Sequence, residues 1–135
     1  MKYKFRAWDR TTNQMRRCYG FNDMELEVYV CSVADDEFNG RPKTVHALKR
    51  SFDEVVVMQS TGLKDKNGVE IFEGDVLYHP IQGARMVFYP YSDSVASYGL
   101  REINTGFGST LQDAHAVWQL IGNIYENPEL LEVAE

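Results

Sequence analysis

The chain has 135 residues, 44% of them hydrophobic and 25% charged, which is the composition of a folded domain and excludes a disordered segment. Its 20 acidic and 14 basic side chains leave a formal charge of −6, a field that on average repels a phosphate backbone and argues against nonspecific nucleic-acid binding. The two cysteines form no CxxC pair, no charged-then-apolar leader opens the sequence, and no apolar run approaches the ~20 residues of a membrane span. A cytoplasmic protein with free thiols, no structural zinc and no membrane partner is therefore expected.

Tyr3 to Trp8 alternates in polarity with a period of two and predicts a strand, followed by a turn over Asp9 to Asn13 and a second strand, Met15 to Tyr19, ending at Gly20. Met24 to Val33 continues the pattern, with Leu26, Val28 and Val30 opposing Glu27, Tyr29 and Cys31. Ala34 to Ser51 holds Gly40, Pro42 and three consecutive acids and reads as an irregular, exposed connection. Val55 to Gln59 is a β-branched apolar run of the buried-strand kind.

In Thr61 to Tyr78, Asn67-Gly68 supplies the residues that tolerate positive φ and predicts a chain reversal. Glu73-Gly74-Asp75 predicts a second turn, after which Val76, Leu77 and Tyr78 resume a strand. Two sharp turns so close together suit a bent β-roll or barrel. Arg85 to Tyr89 is a further strand stopped by Pro90, and Tyr91 to Ser109 reads as a loop-rich stretch or irregular hairpin. Val117 to Tyr125 is a last strand in which Gly122 predicts a bulge or a close backbone approach. A short C-terminal helix over Pro128 to Val133 follows, with Asn127 as its N-cap and Glu129 in its first turn.

Three blocks, RAWD at Arg6 to Asp9, TGLKDKNGVEIFEGDVL from Thr61 and IGNIYENPELL at Ile121 to Leu131, resemble the YopX family of prophage-encoded proteins. The resemblance runs in order across nearly the whole chain, which is taken as a single domain over residues 1–135. It implies a mostly-β, SH3-barrel-related fold that self-assembles into a homo-oligomer, carried by phages and prophages of bacteria. It implies no catalytic residues, cofactor or metal.

The acids Glu70, Glu73 and Asp75 are of a type that binds divalent metals or moves protons, but chain reversal explains them more simply. His46, His79 and His115 are too widely spaced for a short metal motif, and GFGS at Gly106 to Ser109 is too short to cradle a phosphate. Cys18 beside Arg17 is the one candidate nucleophile, in a pattern that favours plain structure. Trp8, Tyr29, Phe72, Tyr78, Phe88, Tyr89, Tyr91 and Trp118 exceed what one small core holds, so some of them reach the surface. The candidate interaction surface is accordingly Trp8, Arg16, Arg17, Tyr89 and Tyr91. The leading expectation is a non-enzymatic module that binds its own copies and a host or phage protein. The alternatives are an SH3-like nucleic-acid binder using Arg10, Arg16, Arg17 and Trp8, and a hydrolase using Glu73 or Asp75.

Overall fold

The structure, a computed structural model, describes residues 4–22, 24–40, 43–89, 98–102, 108–111 and 115–131. Strands dominate them: β1 (Phe5–Asp9), β2 (Gln14–Asn22), β3 (Glu27–Cys31), β4 (Ala47–Ser51), β5 (Val55–Lys64), β6 (Glu70–Phe72), β7 (Asp75–His79), β8 (Gly83–Phe88), β9 (Gly99–Glu102), β10 (Gly108–Thr110) and β11 (Gln119–Asn123). All the described pairings are antiparallel, and the described sheets do not close into a barrel. The helical segments described are single 3-10 turns, and the predicted C-terminal helix is one of these, at Pro128–Leu131. The chain divides into two compact units, Met1–Gln59 and Ser60–Glu135.

In the first unit the strand order is β4-β3-β2-β1-β5, with β5 contributing Val55 to Gln59. Ala7, Val28, Val30 and Val55 form its buried cluster, with Cys18, Leu48 and Val57 packed against them. Register explains the set: Ala7 faces Val57, Cys18 faces Val30 and Val30 faces Leu48, so their side chains share one side of the sheet. Asp9 closes β1 as a fully buried residue instead of opening the turn, because a ring of donors compensates its charge. β2 runs on through Gly20 to Asn22, and a register shift between Cys18 and Gly20 absorbs Tyr19 as a bulge.

Leu26 is not a core strand residue: it stands 61% exposed at φ 56°, in the turn between β2 and β3. That turn is shaped by Asn22, whose Oδ1 accepts the amides of Met24 and Glu25. The connection read as irregular contains β4, a strand whose polar composition, ALKRS, hides it, since it pairs with β3 along one edge through backbone bonds. Its three acids form a 3-10 turn, Asp35–Glu37.

In the second unit the order is β10-β9-β8-β7-β11, and the later part of β5 pairs with β6. Ile71, Leu77, Val87, Leu100, Leu111 and Trp118 are its core. The predicted reversal at Asn67-Gly68 is present, with Gly68 at φ 81° and its N–H bonded to the Asp65 carbonyl at 3.0 Å. Gly74, at φ 87°, makes the second reversal, and Asp75 Oδ2 accepts the Phe72 amide at 2.7 Å across it. β9 and β10 pair as a hairpin inside the stretch read as loop-rich.

β11 is shorter than predicted, being preceded by a 3-10 turn at His115–Val117 and the buried Trp118. Both expectations for Gly122 are met. The register shifts between Leu120 and Gly122, and a Cβ on Gly122 would lie 2.4 Å from Asn127 Oδ1. Asn127 does not cap with its side chain as expected: its Oδ1 turns back to accept the Asn123 amide.

Candidate interaction surface

The hairpin of β1 and β2 decides where three of the expected surface residues go. Arg6 lies opposite Arg17, Ala7 opposite Arg16, and Trp8 opposite Met15. Trp8 and Arg17 therefore share one side of the hairpin, and Arg16 projects from the other with Ala7 and Asp9, because successive strand residues alternate. Arg17 is exposed and holds its guanidinium 4.8 Å from the centre of the Phe38 ring, a cation–π arrangement, while Trp8 is half-buried. The run of arginines in the sequence is thus split by the pleat.

Arg16 is only 5% exposed, and all five of its N–H donors are engaged. Nε donates to Asp9 Oδ2 at 3.0 Å, one terminal nitrogen to the carbonyls of Cys31 and Ser32, and the other to Thr12 Oγ1 and Gln14 Oε1. Asp9 also accepts the Thr11 amide and hydroxyl, the Thr12 hydroxyl and, at 3.2 Å, Nε of Arg50. Burial pushes the Asp9 carboxyl upward, but the Thr11 and Thr12 hydrogen bonds and the Arg50 charge outweigh it and hold the pKa below its usual value. Such a cluster locks the first sheet, and Arg16 has no donor left for a ligand.

In the second unit Tyr89 is 48% exposed, with its ring 5.0 Å from that of Tyr98. Tyr91 lies outside the described residues. Of the wider aromatic set, Tyr78 is exposed, Trp118 is fully inside and the rest of the described ones are half-buried. Arg85 and His79 both lie against Trp118, and His79 Nδ1 accepts the amides of Ile81 and Gln82.

Two of the three acids of the central block, Glu70 and Asp75, are bonded within the scaffold. Asp75 closes its turn, and a Glu70 carboxylate oxygen accepts the Ser60 hydroxyl. Among the described residues no group of three His, Cys, Asp or Glu side chains is placed to hold a metal ion. Burial pushes the Cys18 thiol above its ordinary pKa against a smaller lowering by a backbone hydrogen bond with Gly20, and the raised pKa leaves less thiolate at neutral pH.

Two features escape the sequence reading. Asp65 is 95% buried, and it receives the amides of Asn67 and Val69 on Oδ1 and, at 2.8 Å, that of Leu120 on Oδ2. An Asp three residues before a turn glycine is the available signal for the first two bonds, whereas the third comes from 55 residues away. The second feature is a contiguous aromatic patch in the first unit. Phe21 meets Phe5 edge-on at 5.3 Å between ring centres and stacks on Phe52 at 6.3 Å, and Phe21 and Phe52 remain 40% and 37% exposed.

Among the described residues the architecture is an antiparallel β protein in two units, in which the buried Asp9, Arg16, Asp65 and Asp75 are bonded internally and large apolar side chains such as Phe21, Met24 and Ile81 are exposed. Residues 4–132 match the family model described as YopX protein, and the chain belongs to that family. Among solved structures, protein EF1440 from Enterococcus faecalis is 30% identical, with a TM-score of 0.61 over 98% of this chain and 99% of that one. Protein yopX from Bacillus subtilis is 15% identical with a TM-score of 0.56 over 100% of both chains, a likeness of fold. No curated protein matches the sequence.

Proposed function

We propose that this YopX-family chain is a non-enzymatic module that self-associates and binds protein, serving as a phage or prophage accessory protein in the cytoplasm of a bacterial host. The observation that supports the protein-binding part of this reading is the apolar surface, while self-association is carried over from the family resemblance. Isolated exposed apolar residues are ordinary, but Phe21 meets both Phe5 and Phe52, which come from distant parts of the sequence, and contiguous apolar area of that kind is what interfaces bury. The buried polar side chains Asp9, Arg16, Asp65, Asp75 and Asn123 are, by contrast, bonded within the scaffold. The SH3-barrel-related fold implied by the family resemblance belongs to the same proposal, as does the working of residues 1–135 as one domain. The bulges in β2 and β11 support the former, because bulges bend strands, and the family match over residues 4–132 supports the latter.

Light scattering coupled to size exclusion tests self-association. A mass well above the 15.5 kDa of one chain is expected at micromolar concentration. A clean monomer there overturns that part of the proposal.

A further inference from the structure

Resting on the protein-binding reading, we infer that the patch made by Phe5, Phe21, Phe52 and the turn bearing Met24 and Leu26 docks a cationic, amphipathic segment of a partner protein. The patch is continuous. Phe21 bridges Phe5 and Phe52 through ring contacts, and the Phe52 amide donates to the Leu26 carbonyl at 3.3 Å, which ties the aromatic rings to the turn. It is also open, with Met24 96% and Leu26 61% exposed.

The patch is held in shape. Asn22 Oδ1 accepts the amides of Met24 and Glu25, and Leu26 sits at φ 56°, a left-handed conformation that glycine adopts freely and a leucine side chain resists. A large apolar side chain is thus kept in a strained backbone position where it contacts mainly solvent. Strain of this kind is characteristic of binding positions.

Charge selects the occupant. Glu25 lies within the turn, and Asp53 and Glu54 directly follow Phe52, all three exposed. The cations nearby are fewer: Lys4 beside Phe5, and Arg50, which shares the side of Phe21 and Val28 but is bonded to Asp9 and to the Lys49 carbonyl. A phosphate backbone would be repelled by this acidic rim, and a second copy, itself at −6, would bring the same acids face to face. A segment with an apolar stripe and a lysine- or arginine-rich edge satisfies both the rings and the rim.

The test uses the full chain and two synthetic helical peptides that share one leucine stripe, the first with a lysine polar face and the second with a glutamate polar face. Fluorescence titration is expected to show the lysine peptide binding at least about ten-fold more tightly, with affinity falling between about 50 and about 300 mM salt. Phe21→Ser with Phe52→Ser, which leaves the net charge unchanged, is expected to cost at least about ten-fold in affinity. Leu26→Gly is expected to weaken peptide binding while raising the melting temperature, a pair of opposite effects that a purely structural leucine would not give. Equal binding of both peptides, or unchanged affinity in both variants, overturns the inference. Loss of a self-assembled form in the Phe21→Ser, Phe52→Ser protein also overturns it and assigns the patch to the chain's own copies. A monomeric wild type that still binds the lysine peptide through the patch removes self-association and leaves this inference standing.

Discussion

Asp65 gathers three backbone amides from two parts of the second unit, and without it the N–H groups of Asn67, Val69 and Leu120 lose their acceptor. An unmatched buried donor costs about 1–3 kcal/mol, and Asn67 and Val69 are exposed residues whose amides water can reach, so Asp65→Ala is expected to lose about 1–3 kcal/mol, read as a lower urea midpoint at unchanged slope. Asp65→Asn keeps one oxygen and should lose less. Burial raises the Asp65 pKa, but the amides of Leu120, Val69 and Asn67 and the Lys66 charge outweigh it, and the folded value lies below the usual one. A lowered folded pKa stabilises the protein above the unfolded value of about 4, and that contribution disappears as pH falls through the folded value. The wild-type advantage over Asp65→Asn should therefore be full at neutral pH and shrink as the solution is acidified below about pH 4. Urea midpoints across that range check it, and an advantage that grew on acidification would refute the assignment. Asp9 has the same sign and adds to the same acid loss.

At the scale of elements, β11 and the 3-10 turn after it are fitted through a missing side chain. An alanine Cβ at Gly122 would lie 2.4 Å from Asn127 Oδ1, 2.9 Å from its Cγ and 3.0 Å from Leu130 Cδ1. Asn127 cannot simply swing away, since its Oδ1 accepts the Asn123 amide at 3.2 Å. Gly122→Ala is expected to cost about 1–3 kcal/mol. Combined with Asn127→Ala, the loss should be smaller than the sum of the two single losses, because the second change removes the atoms that clash. Thermal melts of the four proteins in that cycle decide it, and strict additivity would show that the contact carries no strain.

This junction was legible from sequence, as were the reversals at Asn67-Gly68 and Gly74, because glycine placement is a local demand of the backbone. What stayed hidden depends on residues far apart. Asp9 reads as a turn former until Arg16 and Arg50, the latter 41 positions away, arrive to compensate its buried charge. Phe21 is misplaced by a strict period of two, since the bulge at Tyr19 brings it round to the side of Phe5 and Val28. The pleat likewise separates Arg16 from Arg17, which adjacency in sequence could only present as one cluster.

For the whole molecule, the formal charge of −6 gives each kind of partner a different dependence on salt. Copies of this chain repel one another on average, so association through apolar area should strengthen as ions screen that repulsion. A cationic segment on the acidic rim around Phe52 should weaken over the same interval. Nucleic acid held by the exposed Arg10 and Arg17 should weaken more steeply still, because each phosphate neutralised releases counterions. One titration from about 50 to about 300 mM salt, reading mass by light scattering and affinity for the lysine peptide together, therefore separates self-association from the cationic segment by sign. The expected outcome is a mass that holds or rises while peptide affinity falls. A mass that falls with salt would mean that the copies meet through opposite charges, with Arg17 and Lys49 as the exposed cations to substitute first, and would take the apolar surface out of self-association.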